Sequence, residues 1–214
     1  IQADRQLAGT EIQSMHAAAA GVPTVEEYLK SHLTAGQTML TDGSCMPTAL
    51  FEKYNAALAE VGASLVSKDV VNPLWEAERP ALPDTPCFLL SREQTGSSPA
   101  EKLTAVRAEL KKTGATALAV TQLDCVAWLL DLRAHDIPCS PMAISYAFVT
   151  MDRCVLFLAE GRLDADDADV LCANGVELRD YNALLDFVHT LDSDETVLVE
   201  KSSTNYDLYA AMQA

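Results

Sequence analysis

Short β-prone runs alternate along this chain with helices whose ends carry clear signals. The best-formed helix start is the run Ser98-Pro99-Ala100-Glu101. Here a serine can cap the helix, a proline fits the first helical position, and a glutamate can return the hydrogen bond. Gly114 is a typical helix stop. Such alternation predicts an α/β fold.

Strand signals lie between the helices. They cover Thr38–Leu40, Ser64–Val66, Ala117–Thr121, Ala143–Thr150, Cys154–Leu158 and Thr196–Val199. The run Met151-Asp152-Arg153 connects two of these strands over a length typical of a hairpin, whereas the other strands alternate with helices. The pattern therefore predicts mixed β-sheets flanked by helices.

The remaining helices are predicted from their caps and apolar stripes. They begin at Thr24, near Pro47, at Asn72 and at Asp180, and two more lie at Ile1–Leu7 and Thr204–Met212. In the helix capped by Asp180, the predicted inner face is Leu184, Leu185 and Val188.

A Pro-rich stretch at residues 78–86, followed by the polar run 91–98, predicts a linker. It divides the chain into residues 1–96, which hold a first unit ending near residue 77 plus the linker, and residues 97–214. The first unit contains only two predicted strands, and a two-stranded sheet has little stability of its own. We therefore expect this unit to expose a sheet edge or to pair with another molecule.

Both ends of the chain resemble helix interiors. No capping residue precedes the helix that begins at Ile1, and neither Gly nor Pro stops the helix that reaches Met212. We expect from this pattern that the chain is a segment of a longer one. Removal of a tag or disordered ends would give the same pattern.

Composition excludes several classes of function. Lys and Arg number 15 against 31 Asp and Glu, a formal net charge of −16, which argues against nucleic acid as a partner. No apolar run approaches the roughly 20 residues that span a bilayer. The six cysteines form no C-x-x-C pair, which favours reduced thiols in the cytoplasm over a disulfide framework or a zinc site.

Residue patterns typical of catalysis are weak. Asp164, Asp166, Asp167 and Asp169 lack the spacing of a calcium loop and are interpreted as the start of a surface helix. Cys125 or Cys139 could pair with His135 as a thiolate nucleophile. However, Cys125 lies in an apolar run, where a thiol is expected to be buried. We predict no catalytic and no metal-ligating residue in this chain.

One segment, residues 124–146, combines an apolar character with charged residues and prolines that are costly to bury. Its conspicuous side chains are Asp124, Trp128, Arg133, Asp136 and Tyr146. They must pair with one another or face a cleft or a partner. Pairing of Arg133 with Asp131 or Asp136, to hold a loop, is the favoured interpretation.

This segment also carries a family resemblance. The run VTQLDCVAWLLDLRAHDIPCSPMAISYAFVT, followed by CVLFLAEGRL, resembles the middle domain of the three-domain, cytosolic-type Xaa-Pro aminopeptidases (aminopeptidase P). In that family of creatinase/prolidase "pita-bread" metallopeptidases the pattern is roughly V-T-x-L-D-E-I-A-W-L-x-N-L-R-G-x-D-I. The runs NPLWEAERPALP and IQADRQLAG are similar to the family's linker and first-domain helix. The resemblance strongly covers residues 98–160 and extends more weakly over the rest.

The chain departs from the family pattern at several positions. Cys125 replaces Glu, Asp131 replaces Asn, Ala134 replaces Gly, and Cys139-Ser140 replaces an aromatic residue and Asn. If the position of Ala134 required a positive φ, alanine would strain the turn.

The resemblance implies the fold of the creatinase/prolidase N-terminal domains and a place at the end of the first domain plus the second domain. It implies a parent enzyme that removes the N-terminal residue preceding proline with two Mn(II) ions in a C-terminal catalytic domain, which this chain lacks. The chain itself would be non-catalytic. It would gate the substrate cleft and support interdomain or homodimer contacts, and by position only Asp124, Trp128, Arg133, Asp136 and Tyr146 would face that cleft or the catalytic domain.

Two other functions remain open from the sequence. The same fold could serve as a peptide- or protein-binding module without peptidase activity. A cysteine-based enzyme is the third alternative.

Overall fold

The computed structural model describes residues 2–75 and 78–214. Its helices are α1 (Gln2–Leu7), α2 (Val25–His32), α3 (Thr48–Ala59), α4 (Asn72–Trp75), α5 (Arg92–Thr95), α6 (Pro99–Thr113), α7 (Leu123–Leu130), α8 (Ala165–Ala173), α9 (Leu184–Val188) and α10 (Tyr206–Ala211). A 3₁₀ turn at Tyr181–Ala183 precedes α9. Among the described residues, no helix has the length and apolar character needed to cross a bilayer.

The strands are β1 (Thr38–Thr41), β2 (Ser64–Ser67), β3 (Phe88–Leu89), β4 (Ala117–Val120), β5 (Leu132–Arg133), β6 (Tyr146–Thr150), β7 (Cys154–Phe157), β8 (Val176–Arg179) and β9 (Val197–Leu198). They form a five-stranded sheet of order β8-β7-β6-β4-β9 and two pairs, β1-β2 and β3-β5. The large sheet joins parallel and antiparallel pairs. The predicted α/β class with mixed, helix-flanked sheets is confirmed.

The predicted helix caps are present. At α2, Thr24 accepts a hydrogen bond from the backbone of Glu27, whose side chain accepts one in return. The same reciprocal pair joins Ser98 and Glu101 at α6, and Gly114 ends that helix at φ 75°. These local signals succeed because capping depends only on residues three apart.

The large sheet buries both faces. Along β6, Ala147 and Val149 belong to a core covered by α6, α7 and α8. Phe148, between them, belongs to a second core with Phe157 and Phe187 on the opposite face. This alternation of side chains follows from the two-residue period of a strand. The sheet therefore separates the chain into two sides, which decides where functional residues can meet.

The first unit is smaller. Strands β1 and β2 pair in parallel, and a core of Leu29, Phe51, Leu58, Ala63 and Leu65 lies beside them. In the described chain neither strand has a second neighbour. The expected exposed sheet edges are therefore present. Leu40 and Val66 on these strands are 42% and 44% exposed.

Several details differ from the prediction. Leu185 is 46% exposed because α9 is little more than one turn, with Leu184, Phe187 and Val188 inside. Strand β6 begins at Tyr146 and not at Ala143, and the backbone N–H of Ile144 donates to a side chain, Asp136, at 2.7 Å. The sequence also misses β3, β5 and β8, whose two to four residues carry no strong pattern.

The linker region is more ordered than predicted. Cys87 packs in the core of the second unit, and Phe88–Leu89 pairs with β5. Residues Arg92–Thr95 form one helical turn. The division into residues 1–96 and 97–214 stays a prediction. Ile1, where the first helix is predicted to begin, and residue 77, near which the first unit is predicted to end, lie outside the described residues.

Candidate functional site

Helix α7 presents the most exposed aromatic side chain of the predicted site. Val126, Ala127, Leu129 and Leu130 are buried, so the opposite face carries Asp124, Cys125 and Trp128. Asp124 and Trp128 are four residues apart and therefore share this face. Trp128 is 56% exposed. An indole so exposed on a packed helix offers a rigid apolar contact surface with a polar N–H.

Lys102 holds this tryptophan in place. Its side chain is buried, and its Nζ lies 5.3 Å from the Trp128 ring centroid and donates to the Trp128 carbonyl at 2.7 Å. The same ammonium forms an ion pair with the buried carboxylate of Asp131. Asp131 ends α7 in the left-handed region at φ 57°, which Asp and Asn tolerate better than most residues. Lys102 thus links α6 to the end of α7.

Arg133 forms neither of the pairs predicted for it. Its Nη1 donates to the carbonyls of Ala127 at 2.6 Å and Leu132 at 2.9 Å, and Asp131 pairs with Lys102 instead. The prediction failed because each carboxylate pairs with a cation far away in the sequence. Asp131 pairs with Lys102, and Asp136 pairs with Arg162. Arg133 is half-buried and ties α7 to β5.

Asp136, predicted to face a cleft or the catalytic domain, is buried within this chain. Both its oxygens accept from Arg162 Nη2 at 2.7 Å, and it also accepts from the Thr85 hydroxyl at 2.6 Å and the Ile144 N–H. Burial raises the pKa of Asp136, but these donors and the Arg162 charge more than offset it and hold that pKa below the usual value. Asp136 therefore organises the loop before β6.

Tyr146 lies on the other side of the sheet from Trp128. It packs against the core of Phe148 and Phe187, whereas α7 covers the opposite core. Its ring stacks on Tyr181 with centroids 5.4 Å apart. The five predicted site residues therefore do not converge: two share an exposed helix face, two are structural, and one lines a cleft. Ala134 has no positive φ, so the turn strain considered for it is absent.

The cysteines are all free thiols. Cys125 is exposed, contrary to the prediction, because it lies on the outer face of α7. Partial burial and the neighbouring Asp124 raise the pKa of its thiol, which disfavours the thiolate. The ring centroids of His135 and Phe88 lie 6.0 Å apart. Within residues 2–75 and 78–214, no three His, Cys, Asp or Glu side chains are placed to hold a metal ion.

The acidic stretch is the start of a helix, as predicted. Asp164 caps α8 by accepting from the Asp167 N–H at 2.8 Å. Asp167 also accepts from the Leu89 N–H at 3.0 Å, which joins α8 to β3. The sequence missed the supporting residues Lys102, Thr85, Arg162 and Tyr181. Among these four residues, Lys102 alone has a recognisable signal in the sequence, because it lies beside the apolar stripe of α6.

A family profile matches most of this architecture. Residues 78–214 match the Creatinase/Prolidase N-terminal domain. The chain therefore belongs to the creatinase/prolidase N-terminal domain family.

The curated relatives that match this chain include Xaa-Pro aminopeptidases. The chain is 37% identical over 166 residues to the Probable Xaa-Pro aminopeptidase P of Sordaria macrospora, covering 76% of this chain and 27% of the relative. It is 34% identical over 203 residues to that of Coprinopsis cinerea, covering 94% of this chain and 32% of the relative. The chain thus spans about a quarter to a third of the length of these relatives.

A solved structure resembles the whole arrangement. The X-prolyl aminopeptidase of Caenorhabditis elegans, described as a cytosolic enzyme with a di-nuclear active site, superposes with a TM-score of 0.86 at 27% identity. The match covers 93% of this chain and 34% of that one. Both units, and not the second alone, therefore share their arrangement with this enzyme.

Proposed function

We propose that this chain is the non-catalytic N-terminal and middle region of a metal-dependent Xaa-Pro aminopeptidase. The parent is a hydrolase that removes the N-terminal residue preceding proline, so its substrates are peptides with proline at the second position. The observation that carries the proposal is the superposition on the C. elegans enzyme over 93% of the chain. We place the parent in the cytoplasm, by analogy with that enzyme.

The metal chemistry is assigned to a catalytic domain outside this chain. The residues described here provide no cluster that fits two Mn(II) ions. Calorimetric titration of the 214-residue chain with MnCl₂ tests this assignment. We expect no tight binding, and a submicromolar site would contradict it.

We assign the gating role to the exposed face of α7. Asp124 and Trp128 project from a helix whose other face is fully packed, and Lys102 fixes the Trp128 carbonyl and ring. A rigid aromatic wall of this kind can restrict access to a neighbouring cleft without changing shape. The face would contact the substrate cleft or the catalytic domain, and the open β1-β2 pair is a candidate surface for homodimer contacts.

The test compares the two tryptophans of the chain in the full-length protein. Trp128→Ala should change kcat/KM for peptides with proline at the second position by about ten-fold or more, whereas Trp75→Ala should leave it within about two-fold. Trp75, 47% exposed on α4, is the matched control. Equal effects of both substitutions would contradict the gating role.

A full-length protein that does not hydrolyse such peptides, with or without added Mn(II), would contradict the enzyme assignment. Retained peptide binding in that protein would support the alternative, a binding module of the same fold. The two outcomes are separated by measuring hydrolysis and binding on the same preparation.

A further inference from the structure

A cleft of about 510 Å³ opens where the two units meet. It lies between the turn after β1, the Pro-rich segment, β6, the 3₁₀ turn and α10. Its size falls within the roughly 300–1,000 Å³ of small-molecule sites. It is on the side of the large sheet opposite to α7, so it is distinct from the Trp128 face.

The floor of the cleft is aromatic and apolar. Tyr146 and Tyr181 stack there at 5.4 Å, and both are half-buried. Leu208, buried in the core, continues this floor. An apolar side chain of a ligand would pack against the two rings. This packing favours binding because it removes apolar surface from water.

The rim carries one cationic and one anionic side chain. Arg79 lines the cleft, and among the described residues it forms no ion pair within 4 Å, while its charge helps to lower the pKa of Asp69. Asp207 uses Oδ1 to accept from Ser67, whereas its Oδ2 accepts nothing within the described chain. Most other carboxylates near the unit junction are occupied by caps or turns, for example Asp42 by Ser44 and Asp180 by Asn182.

The wall of the cleft that carries Asp207 is held in position before any ligand arrives. Residues 201–208 join the first unit through backbone hydrogen bonds from Thr48 to Thr204 and from Tyr206 to Met46, each 2.9 Å long. Asp207 is fixed from two directions, by Ser67 through its side chain and by the carbonyl of Gly43 through its N–H. Such preorganisation lowers the entropic cost of binding.

We propose that this cleft binds a short zwitterionic peptide with an apolar side chain. The carboxylate would pair with Arg79, the ammonium with Asp207, and the apolar side chain would lie over Tyr146 and Tyr181. Charges of opposite sign at the rim, around an aromatic floor, select a bipolar and amphipathic ligand over a simple anion. The site goes beyond the proposed gating role and does not depend on it.

The test is calorimetry of the 214-residue chain with the dipeptide Leu-Leu at low salt. We expect saturable binding, weakened at least about ten-fold when the peptide is N-acetylated or C-amidated. Arg79→Gln and Asp207→Asn should each cause a similar loss, and the amide oxygen that Asp207→Asn introduces can still accept from Ser67. Arg5→Gln, an exposed arginine of α1, is the control and should bind like the parent chain.

Two results would overturn the site. One is the absence of saturable heat with up to about 10 mM Leu-Leu, because a dissociation constant above that concentration is too weak for specific small-molecule recognition. The other is binding that Arg79→Gln leaves unchanged. Because Arg79 is exposed, this variant should fold normally, so a folding defect in Asp207→Asn would not remove the test.

Discussion

The hydroxyl of Ser67 donates a hydrogen bond of 2.6 Å to Oδ1 of Asp207, across 140 positions of sequence. This bond connects the end of β2 to the first turn of α10 and so joins the two units. The N–H of Gly43 donates to Ser67 Oγ at 3.1 Å, and the N–H of Asp207 donates back to the Gly43 carbonyl at 3.3 Å. The three residues form a closed polar cycle at the junction.

Gly43→Ala should destabilise the chain by about 1–3 kcal/mol. A Cβ at Gly43 would clash with Asp207 Oδ1 and Ser67 Oγ, so the Asp207 side chain must leave. Ser67→Ala alone should cost about 1 kcal/mol. In the Gly43→Ala background the Ser67 substitution should add almost nothing, because its bond is already lost. Urea unfolding of the four proteins measures this, and additive losses would refute the cycle.

Asp136→Asn should destabilise the chain by about 3–5 kcal/mol at pH 7, because it leaves the Arg162 charge buried without its partner. The pKa of Asp136 is lower in the folded state than in the unfolded chain. Its contribution is therefore present above the unfolded pKa, near 3.9, and is lost as the pH falls toward and below the folded pKa.

The asparagine variant should accordingly lose less stability than the parent chain between about pH 5 and pH 2. Urea midpoints across this range measure it. Asp186→Asn, an exposed carboxylate of α9, is the matched control and should follow the parent curve. A parent curve with the same acid dependence as Asp136→Asn would contradict the interpretation.

Lys102→Met should also lower the free energy of unfolding by about 3–5 kcal/mol, because the buried charge of Asp131 would lose its cation. Asp131 Oδ2 already has no hydrogen-bond partner among the described residues. Adding Asp131→Asn should restore much of the loss. Asparagine carries no charge and tolerates the left-handed backbone of this position. Thermal or urea unfolding of single and double variants tests the idea. A double variant less stable than Lys102→Met would refute it.

Thiol accessibility provides a fourth prediction. Cys45, Cys125, Cys139 and Cys172 are exposed and should react with a thiol reagent in the native chain at pH 8. Cys87 and Cys154 are buried, and burial raises their pKa to about 11 and about 12. These two should react only after unfolding. Mass spectrometry of the labelled native chain counts the modified sites, and labelling of Cys154 would contradict the packing described.

Local sequence signals predicted much of the fold. The caps at Thr24 and Ser98, the stop at Gly114 and the hairpin around Asp152 depend on residues within a few positions of one another. The strands Phe88–Leu89 and Leu132–Arg133 escaped prediction because two residues carry no period, and only their pairing with each other defines them.

Sequence alone was enough to predict the fold class, the helix ends at Thr24, Ser98 and Gly114, the family resemblance and the conspicuous polar residues of the segment 124–146. The partners of those residues became visible in the folded chain. Asp131 pairs with Lys102 and Asp136 with Arg162, while Trp128 and Tyr146 lie on opposite sides of one sheet. The reason is physical: a buried charge takes whichever partner packing brings within about 3 Å, and sequence distance contains no information about that packing.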